Sequence, residues 1–233
     1  MLNTKIACAS GILLVGLSIA GAALLVPSAA LAYAGTNLIV NGNFAQGFTT
    51  CTPGVTSLPG WTVVSGNIDI GDDANCNGGP SQPNGAAGEH FYVDMTGSWA
   101  EYGENDVGVI AQTISTVVGQ QYKLSFYVGG NAGWQEYIGI YPNDSSLKAL
   151  AVYVNDAISG VYSVQTAGVS VTDAQWHYKE INFTATSRAT TIKFRSLNGS
   201  PGNPSDFGPF LDGVVCAPVF ADDAVAQSGA KDQ

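Results

Sequence analysis

Basic residues are scarce in this chain. Lys and Arg number 8 against 18 Asp and Glu, a formal net charge of −10. Lys5 lies in the leader described below, so seven basic residues face all 18 acids in the rest of the chain. Nucleic acid is excluded as a partner on that balance, because binding a phosphate backbone needs a basic face. Histidine is rarer still, with His90 and His177 the only two. No Ser or Cys stands in a nucleophile context such as G-x-S-x-G, no H-E-x-x-H occurs, and no Cys/His spacing suits zinc. An enzyme is therefore not expected. The one residual route to catalysis is a carboxylate pair for glycoside hydrolysis, which needs two acids facing each other across a cleft. Glu101, Glu104 and Asp106 form the acidic run nearest to that description, and such a run is ordinarily a solvated loop.

Long apolar stretches are limited to one. Gly11 to Val26 is apolar, follows Lys5, and runs into PSAALA ending at Ala32. The run is shorter than the ~20 residues a membrane-spanning helix needs. Ala30-x-Ala32 fits the small-residue cleavage rule of a secretory signal. These features predict a signal peptide over 1–32, a β-sandwich domain over 33–220 and a disordered tail over 221–233. The mature protein is expected to be a secreted monomer, extracellular or periplasmic, with no membrane association after cleavage.

Cysteine is sparse as well. Cys8 falls in the leader, and Cys51, Cys76 and Cys216 remain. Export permits a disulfide. Cys51 and Cys76 both sit in Gly/Pro-rich loop sequence and are the natural pair, worth roughly 3 kcal/mol by loop closure. Other pairings stay open on sequence grounds, and Cys216 reads as a buried thiol near the end of the last strand.

Helix signals are almost absent after the leader, whereas two-residue alternation is frequent. YKLSFYV sets Tyr122, Leu124, Phe126 and Val128 on one face; KEINFTA does the same with Ile181 and Phe183. TIKFRS alternates Ile192 and Phe194 with Lys193 and Arg195, and HFYVDM alternates Phe91, Val93 and Met95 with Tyr92 and Asp94. Such alternation predicts strands with one face in a core and the other in water. Turn-rich stretches such as VGGNAG and NGSPGNPSDFG separate them. Many short strands with turns of this kind predict an all-β antiparallel β-sandwich or jelly roll. Trp61 and Trp176 fall in strand-like sequence and are expected in the core.

GDDANCNGGP, residues 71–80, places Asp73, Asn75 and Asn77 at alternate positions before Gly78. That is how a helix–loop–helix calcium site opens, but its twelfth position is Asn84 rather than an acid, and Pro80 and Pro83 interrupt it. The stretch reads first as a surface loop with Asx and Gly turns, held down by Cys76. A non-standard calcium site involving Asp73, or a loop whose amides meet sugar hydroxyls, stays open beside it.

Four stretches in order resemble a known pattern. They are NLIVNGNFAQGF with LPGWTVVSGNIDI, FYVDMTG with GVIAQTIST, GQQYKLSFYVGGN, and FTATSRATTIKFRSL closing with GPFLDGVVC. Together they resemble the choice-of-anchor C family of bacterial exported proteins, which is similar to plant cell-wall proteins of unassigned function with galactose-binding-like jelly-roll domains. The resemblance implies a two-sheet sandwich outside the cell that binds polysaccharide or another glycan, without implying a reaction. It also implies a structural calcium held by a Glu after the NGxF aromatic and by an Asp near the end of the last strand. Asp212 of FLDGV fits the second ligand, but Ala45 stands at the first. No cofactor is required beyond that possible calcium.

Sugar recognition pairs a flat ring, which covers the C–H face, with planar polar groups that fix the hydroxyls. Trp99, Tyr102, Trp134 and Tyr137 are the candidate stacking rings, and Asn131, Gln135 and Glu136 the polar partners. The expected function is an exported, non-catalytic carbohydrate-binding module that recognises cell-wall or extracellular polysaccharide. The alternative is a structural, matrix or surface-interaction protein that works through protein contacts.

Overall fold

Strands form at each of the stretches where the alternation is strict. The computed structural model describes residues 36–73, 90–98, 107–133, 145–199 and 207–220. Among them are β1 (Thr52–Val55), β2 (Thr62–Ser65), β3 (Ile68–Asp72), β4 (Phe91–Asp94), β5 (Val109–Ser115) and β6 (Gln121–Gly130). Then follow β7 (Leu147–Val154), β8 (Ala157–Gln165), β9 (His177–Thr184), β10 (Ala189–Ser196) and β11 (Pro209–Pro218). One sheet has six strands in the order β1-β3-β4-β11-β6-β9, and the other has five in the order β2-β5-β10-β7-β8. Every pairing within the two sheets is antiparallel. The fold is the all-β jelly-roll sandwich that the alternation and the turn clusters predict.

The core fills the space between the sheets. Tyr122, Leu124, Phe126 and Val128 of β6 are buried there with Ile192 and Phe194 of β10. The rings of Phe126 and Phe194 meet edge-on at 5.3 Å. Side chains of this size contribute about 1.5–3 kcal/mol each when fully buried. Trp61 belongs to the same core, as expected, tilted against Phe44 and Phe194 at 5.9 and 6.0 Å. Cys216 of β11 is free and fully buried, as the sequence suggests, and burial pushes its thiol up to about 12.

NLIVNGNF forms no strand, yet it is tied to two strands, β11 and β5. The Asn37 side-chain oxygen accepts from the Cys216 N–H at 3.0 Å, and the Val214 N–H donates to Gly42 O at 2.9 Å. Gln112 of β5 accepts from the Val40 N–H at 2.8 Å and donates to Val40 O and Gly60 O at 2.9 and 2.6 Å. Between β7 and β8 the chain reverses at Asn155 and Asp156, both left-handed at φ 49° and 64°. Two such residues in succession make the tight turn whose twist suits a hairpin, and Asn and Asp tolerate that backbone.

The six-stranded sheet departs from expectation on its outer side. Alternation in HFYVDM sends Tyr92 and Asp94 towards water, but both are buried. The segment leading into β9 explains this. Gly130 N–H donates to Ala174 O at 2.8 Å, which draws residues 174–176 over the outer face. Trp176 therefore lies outside the main core and packs with Tyr92, Ala174 and Phe210 in a second apolar cluster. Gly129 makes this possible, since a Cβ there would stand 2.9 Å from the Trp176 ring.

Candidate functional site

In β3 and β4 the outward positions are Asp69 and Gly71 facing Asp94 and Tyr92 across the ladder. In β11, Phe210 is paired with Asp94. Gly71 has no side chain to oppose Tyr92, so the Tyr92 ring lies over β3; a Cβ at Gly71 would sit 2.1 Å from the ring carbon Cζ. Tyr92 and Phe210 meet edge-on at 4.8 Å, and Trp176 closes the group at 6.1 Å from Tyr92 and 6.0 Å from Phe210. Glycine inside a strand often marks such a close approach.

Beside these rings lies a cavity of about 300 Å³. Asp69, Asp94 and Asn131 supply its polar groups, Tyr92 and Phe210 its rings, and Thr52 and Pro53 of β1 one edge. Each carboxylate is held by defined donors. Asp94 Oδ1 accepts from the Thr96 and Gly208 N–H groups at 3.0 and 3.1 Å, and Oδ2 from Asn131 Nδ2 at 2.8 Å. Gly208 must be glycine for this approach, because a Cβ would come within 2.5 Å of Asp94 Oδ1. Asp69 Oδ1 accepts from the Gly54 N–H at 2.7 Å, and Oδ2 from the Ser98 hydroxyl at 2.7 Å.

Burial, and then the charge of Asp69 across the ladder, push the Asp94 carboxyl up to about 7, while the Asn131, Thr96 and Gly208 donors pull the other way. Burial and then Asp94 raise the Tyr92 phenol above its ordinary value. The cavity thus offers hydrogen-bond acceptors in a pre-set geometry beside aromatic walls, with a carboxyl that holds a proton near neutrality.

Of the residues singled out from sequence, Asn131 lines this cavity. Its amide is engaged: Nδ2 donates to Asp94, and Oδ1 accepts from the Gly133 N–H at 2.9 Å. Trp99, Tyr102, Trp134, Gln135, Glu136 and Tyr137 lie outside the described residues. Asp73 is paired with His90, Oδ1 to Nδ1 at 2.7 Å, at the base of the Asp/Asn loop. The remainder of that loop, Cys76 included, lies outside the described residues. Cys51 is disulfide-bonded and lies at the cavity edge. Asp212 is buried where the β11 register shifts, and its Oδ1 accepts from the Gly213 N–H at 2.6 Å. Among the described residues no group of three His, Cys, Asp or Glu could hold a metal ion.

Asp69, Asp94, Tyr92 and Phe210 were not reached by sequence reasoning. Their signal was the in-strand glycines, Gly71 and Gly129, which lie on the same outer face.

Fold and site together define an all-β sandwich with a small, polar-lined cavity on the outer face of its larger sheet. The chain belongs to the DUF642 family, described as proteins of unknown function, which residues 37–217 match. No curated protein matches it in sequence. Among solved structures it is similar to an apo-form cyclase from Fischerella sp., at 14% identity and a TM-score of 0.48, over 78% of this chain and 95% of that one. It is also similar to TmCBM61 in complex with beta-1,4-galactotriose, at 14% identity and a TM-score of 0.42, over 79% and 99%. The EclA C-terminal domain, a sugar-binding protein, is similar at 9% identity and a TM-score of 0.33, over 46% of this chain and 64% of that one. The chain thus spans under two thirds of that last protein's length.

Proposed function

We propose that this protein is an exported, non-catalytic carbohydrate-binding module whose site is the outer-face cavity of the six-stranded sheet. One observation carries the reading: fixed acceptors on Asp69 and Asp94 stand beside the rings of Tyr92 and Phe210 in a single concavity. Rings cover sugar C–H faces, and fixed acceptors select hydroxyl positions. The ligand-binding roles read from sequence for Trp99, Tyr102, Trp134, Gln135, Glu136 and Tyr137 belong to the same proposal. The test is a fluorescence titration with soluble oligosaccharides, since Trp176 packs on Tyr92 and Phe210 at the cavity. A saturable change with one sugar class is expected; no change with any of them would contradict the site.

The absence of catalysis is part of the proposal. Asp69 and Asp94 both use their oxygens to accept hydrogen bonds from the protein, which suits holding a ligand. Incubation with polysaccharides is expected to release no reducing ends.

Export with cleavage after Ala32, a monomeric state and the choice-of-anchor C relationship belong to the same reading, as does the Cys51–Cys76 pair. Cys51 being bonded and Cys216 being free and buried support that pairing. Calcium enters through Asp212, and binding compared in calcium and in chelator tests it. A protein-contact role is the second reading. It is favoured by Ile158 and Val161, which are 65% and 56% exposed on the edge strand β8.

A further inference from the structure

Lys148 of β7 is fully buried. A lysine taken out of water is costly to hold unless its donors are used, so polar contact as well as packing sets its place in the fold. It alternates with Leu150 and Val152 on the inner face of the five-stranded sheet, and both of those belong to the main core. Its stem crosses the sandwich beside Gly130 of β6, where a Cβ would stand 3.2 Å from Lys148 Cγ. Its Nζ donates to Phe207 O at 2.7 Å, just before β11 begins.

That carbonyl and the Gly208 N–H belong to one peptide group. A trans peptide directs its C=O and its N–H to opposite sides. Here the C=O turns to Lys148 in the interior, and the N–H turns to Asp94 Oδ1 at 3.1 Å. A donor on the carbonyl polarises the peptide and strengthens the hydrogen bond that its N–H gives. The next links are fixed as well: the Asn131 N–H donates to Gly208 O and the Met95 N–H to Pro209 O, both at 3.0 Å. Asn131 also reaches Asp94 Oδ2 through its side chain. One peptide thus joins the interior of the sandwich to the carboxyl in the cavity on its outer face.

We propose that Lys148 is a positioning residue of the cavity: from the opposite sheet it sets the Phe207–Gly208 peptide, and through it the Asp94 carboxyl that meets the ligand. The inference rests on the carbohydrate-binding reading for the ligand and adds a residue that tunes that same site. The groups facing Asp94 are Asp69 from β3, Tyr92 and Thr96 from β4 and its end, Asn131 after β6, and Gly208 and Phe210 at the start of β11. Burial and then Asp69 favour the protonated form of Asp94, whereas the Asn131, Thr96 and Gly208 donors favour the ionised one. A weaker Gly208 donor therefore raises the pH at which the proton leaves.

The test follows the Asp94 carboxyl signal through a pH titration by carbon-13 NMR, in the wild-type protein, Lys148→Met and Leu150→Ala. Methionine keeps the apolar stem but cannot donate to Phe207 O. Lys148→Met is expected to raise the Asp94 midpoint by about half a pH unit or more, roughly threefold in proton affinity. Leu150→Ala removes a core side chain from the same face of β7 and is expected to leave the midpoint in place, which separates positioning from a general loss of packing. In the wild-type protein the Gly208 amide signal is expected to move through the Asp94 midpoint, a reading that needs no variant. Calorimetry with cellohexaose, xylohexaose and beta-1,4-galactotriose across the same pH range is expected to show a binding profile that Lys148→Met displaces upward with the midpoint. A midpoint unchanged in Lys148→Met, one raised equally by Leu150→Ala, or a binding profile that stays in place while the midpoint moves would overturn the inference and leave the carbohydrate-binding reading standing. So would a Gly208 amide that ignores the Asp94 titration, even if Lys148→Met does not fold. No binding of any oligomer by the wild-type protein, with the midpoint moving as expected, would overturn the carbohydrate-binding reading and leave the link from Lys148 to Asp94 in place.

Discussion

Asp94 is the residue on which the site depends, and its proton makes a measurable prediction. Its carboxyl rises from 3.8 to about 7 on folding, from burial first and then from Asp69. A raised value means that the folded state binds the proton more tightly. The stabilisation is complete below the unfolded value and is lost as pH rises through the folded one, on the order of 4 kcal/mol in all. Urea unfolding across that range is expected to show this decline. In Asp94→Asn the decline is expected to disappear, and in Asp69→Asn to move to lower pH. Glu180 acts in the opposite sense, being held low first by the Tyr178 hydroxyl and Lys123, but it is exposed and does not mask the effect. A profile identical in all three proteins would contradict the account. Gly71 gives a second residue-scale prediction. Gly71→Ala forces the Tyr92 ring to move from a contact of 2.1 Å and is expected to cost about 1–3 kcal/mol in thermal or urea unfolding; an unchanged stability would mean that the ring is not seated there. The sequence showed Tyr92 and Asp94 alternating with core residues, which is why they were read as facing water. Alternation reports which face a residue takes, and it cannot report that residues 174–176, some eighty positions away, fold back over that face.

At the scale of elements, the strands were the most legible part of the chain. Val128, Ile181 and Phe194 occupy the core because their alternation leaves no other arrangement that buries them. Which strands pair was not legible, since pairing depends on contacts far apart in sequence: β11 lies between β4 and β6. The N-terminal NLIVNGNF stretch shows the same limit. It has no regular structure, and its place is set by Gln112, which supplies partners for the Val40 N–H, Val40 O and Gly60 O. Gln112→Leu leaves those groups without their amide in a largely buried position and is expected to destabilise the protein by about 3 kcal/mol in urea unfolding. A loss below about 1 kcal/mol would mean that water replaces the amide easily. The cysteines give a prediction at this scale too. Native protein is expected to leave a thiol-reactive dye unreacted, because Cys216 is fully buried. Unfolding without reductant is expected to expose one thiol, and reduction to expose all of Cys51, Cys76 and Cys216. Two or more reactive thiols before reduction would refute the pairing.

At the scale of the molecule, the proposal takes a glycan as the ligand and places it on the outer face of the larger sheet, where the cavity lies. Of the candidates chosen from sequence, Asn131 lines the cavity, where it follows β6 and fixes Asp94. The central claim is that this face binds carbohydrate. Its most direct test is retardation of the mature protein in gels cast with neutral, acidic and amine-bearing polysaccharides, run beside Asp69→Ala with matched thermal stability. The account predicts retardation by at least one polymer and about a fivefold or greater loss of affinity in the variant. No retardation on any polymer, or retardation that the variant leaves unchanged, would contradict it.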